Sequence, residues 1–271
     1  MSDYSPELLL LVRLVEPGKL LPPLPGAGHV LATLLGMSPQ DLAQIDKHID
    51  QLLDAAAAAL LAQDGIQNAV NRLSSYGPSS MAAIGDSLTA DRLGWFALLA
   101  RVCSLGGGMA TFVNAACAGE TSVQLIPRVP ALLATPVPLI LCMAPGNDAR
   151  RFGRPDASPQ ISGEETSRAL AMVREECLTA GRDVLLITPP GIDSVRAAAS
   201  PFWASMATFW DQGNLDHVCQ ATLSLDADAI DLRTILVGEP AYREADGLHT
   251  TLAGASQIVR SVLPRLAARY S

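Results

Sequence analysis

From Met81 onward, short runs rich in β-formers alternate with longer stretches patterned for helix, and this alternation constrains the chain more than any other feature. Strands are expected at residues 81–84, 110–114, 138–143, 183–187 and 227–231. Helices are expected between and after them at about 93–104, 121–133, 163–180, 202–222 and 251–270. Repeated βα units predict a parallel sheet with helices on both faces, because each crossover must bury an apolar face against the sheet. Five such units make an open, doubly wound α/β sheet, in which reactive groups collect at the carboxyl ends of the strands.

The first 80 residues carry helical periodicity instead. Ser5-Pro6-Glu7 sets a capping hydroxyl before a proline, and an apolar run over 8–15 follows until Pro17-Gly18. Residues 20–28, with three prolines, are expected to be extended loop. Ser38-Pro39 repeats the start signal, and Leu42, Ile45, Ile49, Leu52, Leu53, Ala56 and Leu60 then form one apolar stripe. That stripe needs a cover, supplied by the first helix, the main domain or a second copy of the chain. Turn-forming residues over 74–80 suggest a boundary between a helical N-terminal domain, 1–78, and an α/β domain, 79–271.

Four segments of the α/β part carry residues suited to chemistry. Ser87, in Gly85-Asp86-Ser87-Leu88-Thr89, follows the first expected strand and precedes a helix. There a hydroxyl can act as nucleophile beside a favourable helix N-terminus, or it can simply cap that helix. His249, in Asp246-Gly247-Leu248-His249, precedes the last helix, and a carboxylate three residues upstream can orient such an imidazole as a base. Surface turns also produce this spacing. Gly119 follows the second strand and Asn147 the third; each could donate an N–H to an oxyanion, and each also suits an ordinary turn.

Taken in order, these segments resemble the four blocks of the SGNH (GDSL) serine hydrolase superfamily, with Ser87, Gly119, Asn147 and His249 at the named positions. The resemblance covers about residues 81–271. It implies a flavodoxin-like three-layer α/β/α sandwich with a five-stranded parallel sheet, and hydrolysis of an ester or thioester through an acyl-serine. It further implies Ser87, Asp246 and His249 as catalytic residues, an oxyanion hole from Ser87, Gly119 and Asn147, and no metal or other cofactor. Two positions depart from the pattern: Pro145 stands where the third block usually has glycine, and Thr250 where proline usually follows the histidine.

Arg150 and Arg151, with Arg154, could bind an anionic part of a substrate, or form a solvated basic loop. Trp203 and Trp210, seven residues apart, would share one helix face and either pack in the core or wall an acyl site. A formal charge of −8 disfavours nucleic acid as a partner. Five cysteines without Cys-x-x-Cys spacing suggest reduced, buried thiols. No stretch has the roughly 20 apolar residues of a membrane span, and the N-terminal run is interrupted by Arg13, so a cytoplasmic protein is expected. The expected partner is a small acyl ester or thioester, and the N-terminal helices could serve a homodimer or carrier-protein contact. Acyl transfer by the same residues, or a scaffold with a vestigial site, are the alternatives.

Overall fold

The structure is a computed structural model that describes residues 4–16, 27–108 and 111–270. Among the described residues, the chain opens with helices α1 (Pro6–Leu14), α2 (Ala27–Leu34), α3 (Pro39–Leu61) and α4 (Ile66–Tyr76). The start signals act as expected. The Ser5 hydroxyl accepts from Leu8 N–H at 3.2 Å and the Ser38 hydroxyl from Asp41 N–H at 3.1 Å. Residues 20–26 of the expected loop lie outside the described residues, and its last two belong to α2.

Strand β1 (Ser80–Ile84) leads into α5 (Ser87–Ala90) and α6 (Trp95–Leu105); β2 (Thr111–Asn114) leads into α7 (Ser122–Leu125) and α8 (Val129–Leu133). Strand β3 (Leu139–Met143) is followed by a 3₁₀ turn, Gly146–Ala149, then β4 (Arg151–Phe152) and α9 (Gly163–Thr179). After β5 (Asp183–Ile187) come α10 (Ser194–Ala199), α11 (Pro201–Ser205), β6 (Thr208–Phe209), α12 (Gln212–Leu225) and the closing α13 (Leu252–Ala268). The main sheet is parallel, in the order β2-β1-β3-β5, while β4 and β6 form a small antiparallel pair beside it.

Alternation along the buried strands divides the interior into two cores. Met81, Ala83, Leu139, Leu141, Met143, Leu185 and Ile187 face one side; Ala82, Ile84, Ile140, Cys142, Val184 and Leu186 face the other. Helices α6 and α13 pack into the first core, and α7 to α9 with α12 into the second, which gives the three-layer sandwich. The N-terminal helices join the first core. Leu42, Ile45, Ile49, Leu53, Ala57 and Leu60 are buried along α3, which packs on α6, α2 and α13, so the stripe is covered within the chain. Arg101 to Asp50 and Asp54 ties its flank to α6, and Arg92 to Asp46 ties it to the turn before α6. Helix α4 buries Ile66, Ala69, Val70 and Leu73 against α13; its N-cap is Gly65, with no side-chain cap to signal its start in the sequence.

Three expectations need correction. The fifth strand shrinks to a single parallel bridge, Ile187 to Ile230. Flanking aspartates take the backbone elsewhere, since Asp226 accepts from Asp228 N–H and Asp231 from Arg233 N–H, so local turns displace a longer ladder. The helix expected over 121–133 is divided into α7, a 3₁₀ turn and α8, with prolines at 127 and 130 in the later segments. The helix expected over 202–222 breaks after α11: Ala207 takes a left-handed φ of 46°, β6 follows, and Asp211 caps a new helix by accepting from Asn214 N–H. Among the described residues no helix is long and apolar enough to cross a membrane.

Leu53, 5% exposed in the α3 stripe, tests whether this layer is integral to the fold. Leu53→Ala should lower the unfolding free energy by about 2–5 kcal/mol in urea titrations, the usual cost of such a core truncation. A loss below about 0.5 kcal/mol, typical of surface positions, would show that the layer contributes little.

Candidate active site

Ser87 is the first residue of α5, two residues beyond Gly85 at the carboxyl end of β1. Gly85 has φ 154°, and a Cβ there would lie 2.8 Å from the Met143 carbonyl, so glycine lets β1 and β3 stay close where the chain turns. Asp86, 3% exposed, caps α5 by accepting from Leu88 N–H at 3.0 Å with Oδ1. Its Oδ2 accepts from Gly146 N–H at 2.8 Å and lies 3.4 Å from the Asn147 amide nitrogen. One carboxylate therefore joins the loop after β1 to the loop after β3. Burial pushes its pKa up to about 6, against the opposing effect of these N–H donors.

His249 reaches the same point from the far end of the chain. Asp246 Oδ1 accepts from both Leu248 and His249 N–H at 2.9 Å, folding 246–249 into a tight turn. Gly247 has φ 76°, and a Cβ there would lie 2.6 Å from the Asp193 carbonyl. The turn brings His249 Nδ1 to 2.5 Å from Asp246 Oδ2, and Nε2 to 2.9 Å from Ser87 Oγ. Burial opposes an imidazolium, but the hydrogen bond and charge of Asp246, with Asp91 and Asp86 nearby, outweigh it and hold the His249 pKa above its usual 6.5. For Asp246, burial is likewise outweighed by the hydrogen bond and charge of His249, so its pKa stays below the ordinary range.

Trp203 supports this pair in a way the sequence reading missed. Its ring stacks on the imidazole at 6.2 Å between centroids, and its Nε1–H donates to the Asp246 carbonyl at 2.9 Å. Trp210 meets Trp203 edge to face at 5.3 Å and itself lines the pocket over Ser87. The break near Ala207 makes this arrangement possible. Asp211-Gln212-Gly213-Asn214, a capping signal inside the supposed helix, could have revealed it.

Asn147 lies in the 3₁₀ turn after β3, its amide donating to the Glu120 carbonyl at 2.9 Å. The next residue, Asp148, fixes that turn by accepting from Ser122 N–H at 2.8 Å and the Thr166 hydroxyl at 2.7 Å. Pro145 fits as the N-cap of the turn. Gly119 sits in an exposed turn beyond β2 with φ 84°. The arginines are engaged outside the pocket: Arg150 bonds Gln160 at 2.9 Å and lies over the Phe152 ring, while Arg151 bonds the Pro155 carbonyl at 2.6 Å and pairs with Asp211. Arg154 pairs with Asp156 on the surface.

Ser87, Asn147 and His249 share their pocket with Pro189, Pro190, Ile192, Trp210, Leu215 and Leu248. Its volume is about 20 Å³, room for about one water. A hydroxyl bonded to an imidazole, itself held by a buried carboxylate, is suited to nucleophilic attack on a carbonyl. The GDSL-like Lipase/Acylhydrolase family model matches residues 83–257, a span that holds all of these groups. The chain belongs to this family.

No curated protein matches the chain. Among solved structures, the crystal structure of TesA is 24% identical over 69% of this chain and 97% of its own, with a TM-score of 0.52. LAE5, an α/β hydrolase enzyme from the metagenome of Lake Arreo, Spain, is 20% identical over 71% and 97%, with a TM-score of 0.54. A variant of Axe2, an acetyl-xylooligosaccharide esterase from Geobacillus Stearmophilus, is 17% identical over 69% and 94%, with a TM-score of 0.55. These likenesses establish the shared fold, and the GDSL-like family membership makes ester hydrolysis the general chemistry.

Asp86 yields a test by linkage. Its folded pKa is raised from 3.8 to about 6, so the stability it contributes is fully present below pH 3.8 and lost as pH rises through about 6. Asp86→Asn cannot titrate. Relative to wild type, the variant should gain stability between about pH 4 and pH 7 in thermal unfolding. A difference independent of pH would contradict the raised value.

Proposed function

We propose that the protein is a serine esterase that cleaves a small acyl ester or thioester through an acyl-serine intermediate, with Ser87, His249 and Asp246 as its catalytic residues. The observation that carries this reading is the bridging of Ser87 Oγ, at 2.9 Å, and Asp246 Oδ2, at 2.5 Å, by the two nitrogens of one buried imidazole. His249 Nε2 takes the proton as Ser87 Oγ attacks the carbonyl carbon. The tetrahedral oxyanion is met by the N–H groups of Ser87 and Gly119 and by the Asn147 amide. His249 returns the proton to the departing alcohol or thiol, then activates a water that releases the acid. Asp246 fixes the tautomer and stabilises the imidazolium.

The Asn147 amide spans 2.9 Å to the Glu120 carbonyl but 3.4 Å to Asp86, so one of its hydrogens is weakly engaged and suited to a developing negative charge. Ile192, Trp210 and Leu215 give the pocket apolar walls, and its small volume favours a short acyl group.

Intact-mass analysis after exposure to a fluorophosphonate should show one adduct on wild type and none on Ser87→Ala or His249→Ala. An unlabelled wild type would overturn the reading. With p-nitrophenyl esters, Asn147→Ala should lower kcat by about a hundred- to a thousandfold, the usual cost of one oxyanion donor. The base must be neutral to accept a proton, and its pKa is raised above 6.5, so kcat/KM should climb with pH through an apparent pKa higher than that value. A profile already flat at pH 6.5 would contradict the assignment of His249.

A further inference from the structure

Ser87 and His249 stand 162 residues apart in sequence, on loops from opposite ends of the family-matched region, and a side chain from outside that region bonds to both loops. Arg13, near the end of α1, donates from Nε to Asp91 Oδ1 at 3.0 Å and from Nη2 to Asp91 Oδ2 at 2.5 Å. Asp91 directly follows α5, and its own N–H donates to the Ser87 carbonyl at 3.0 Å. Arg13 Nη1 donates to Glu244 Oε1 at 2.7 Å, and Nη2 also to the Thr250 carbonyl at 3.2 Å. Thr250 follows His249, and Glu244 N–H donates to the His249 carbonyl at 2.8 Å. Two-pronged guanidinium contacts of this kind fix direction as well as distance.

We infer that Arg13 is a positioning residue that holds the Ser87 loop and the His249 loop in register, making α1 part of the catalytic apparatus. The inference rests on the esterase reading above. Asp91 is 1% exposed, so its charge depends on Arg13 for neutralisation. The charged groups around the imidazole are Asp246, Asp86 and Asp91, with Arg243 close by through its 2.7 Å bond to the Leu248 carbonyl. Without Arg13, the charge balance around His249 changes, because the buried Asp91 carboxylate loses its counter-charge.

The whole chain with p-nitrophenyl acetate and a fluorophosphonate provides the test, comparing wild type with Arg13→Met, Arg13→Lys and Glu244→Ala. Arg13→Met should lower kcat and the labelling rate by about ten- to a hundredfold, the scale of a misplaced catalytic group, with KM little changed. Its acid limb should shift, and Arg13→Lys should recover part of both effects. A variant that melts earlier but keeps the wild-type kcat and acid limb would overturn the inference and leave Arg13 as a fastening for α1. If Arg13→Met does not fold, Glu244→Ala decides, because it removes the acceptor of one arm at a partly exposed position; an unchanged kcat there overturns the inference. Failure of wild type to react would overturn the esterase reading instead. The inference would then be judged from the proton NMR signal of His249 Nδ1–H, which should weaken in Arg13→Lys and Glu244→Ala if Arg13 sets the loops, and stay unchanged if it does not.

Discussion

Strands β1 and β3 are buried on both faces, and this fixes where chemistry can occur. Of their ten positions only Ser80 is not fully buried, so reactive groups must lie beyond the strand ends, where the backbone turns back into helices. Parallel pairing of β2, β1, β3 and β5 puts the turns after these strands on one edge. Ser87, Gly119 and Asn147 follow three of those strands, and His249 enters from the loop before α13. The sheet supplies proximity but not aim.

Aim comes from buried carboxylates bonded to backbone and side-chain donors. Asp86 ties the β1 loop to the β3 loop, Asp148 ties the β3 turn to α7 and α9, and Asp246 folds its own turn around His249. Each polar group removed from water costs free energy unless its bonds are replaced, so these carboxylates favour the one arrangement that supplies the donors. The N-terminal helices act on the same loops from outside. Their apolar residues extend the core around α6 and α13, which anchors α1 next to the loop that carries His249.

The sequence reading succeeded where a side chain's effect is local. Ser5, Ser38 and the stripe of α3 mark their helices through caps and periodicity, and the first and last motifs combine turn glycines with side chains that meet in the structure. Four of the expected strands appear because continuous apolar runs have few other uses in a parallel sheet. The failures have a common form. Residues 227–231 have strand-like character, but neighbouring aspartates divert the backbone into turns. Residues 202–222 have helical periodicity, but the left-handed Ala207 and the Asp211 cap divide them. Trp203 and Trp210 were paired correctly and placed wrongly, since their contact spans a break. No local pattern marks Arg13, whose partners lie 78 and 231 residues away.

Asp86 and Asp246 are both buried and both accept backbone N–H bonds, yet their pKa values move in opposite directions. The difference lies in what faces the second oxygen. Asp86 Oδ2 meets amide dipoles from Gly146 and Asn147, which only partly replace water; Asp246 Oδ2 meets an imidazole that can carry a full charge. At neutral pH both carboxylates are ionised, but only Asp246 has a partner that can answer its charge. Asp86 therefore acts on the site in two ways, aligning the loops through its N–H donors and adding a negative field that, with Asp91, favours a protonated His249, the state that the proposed reaction would form. The same carboxylates that fix the geometry thus favour the charge that the proposed reaction creates.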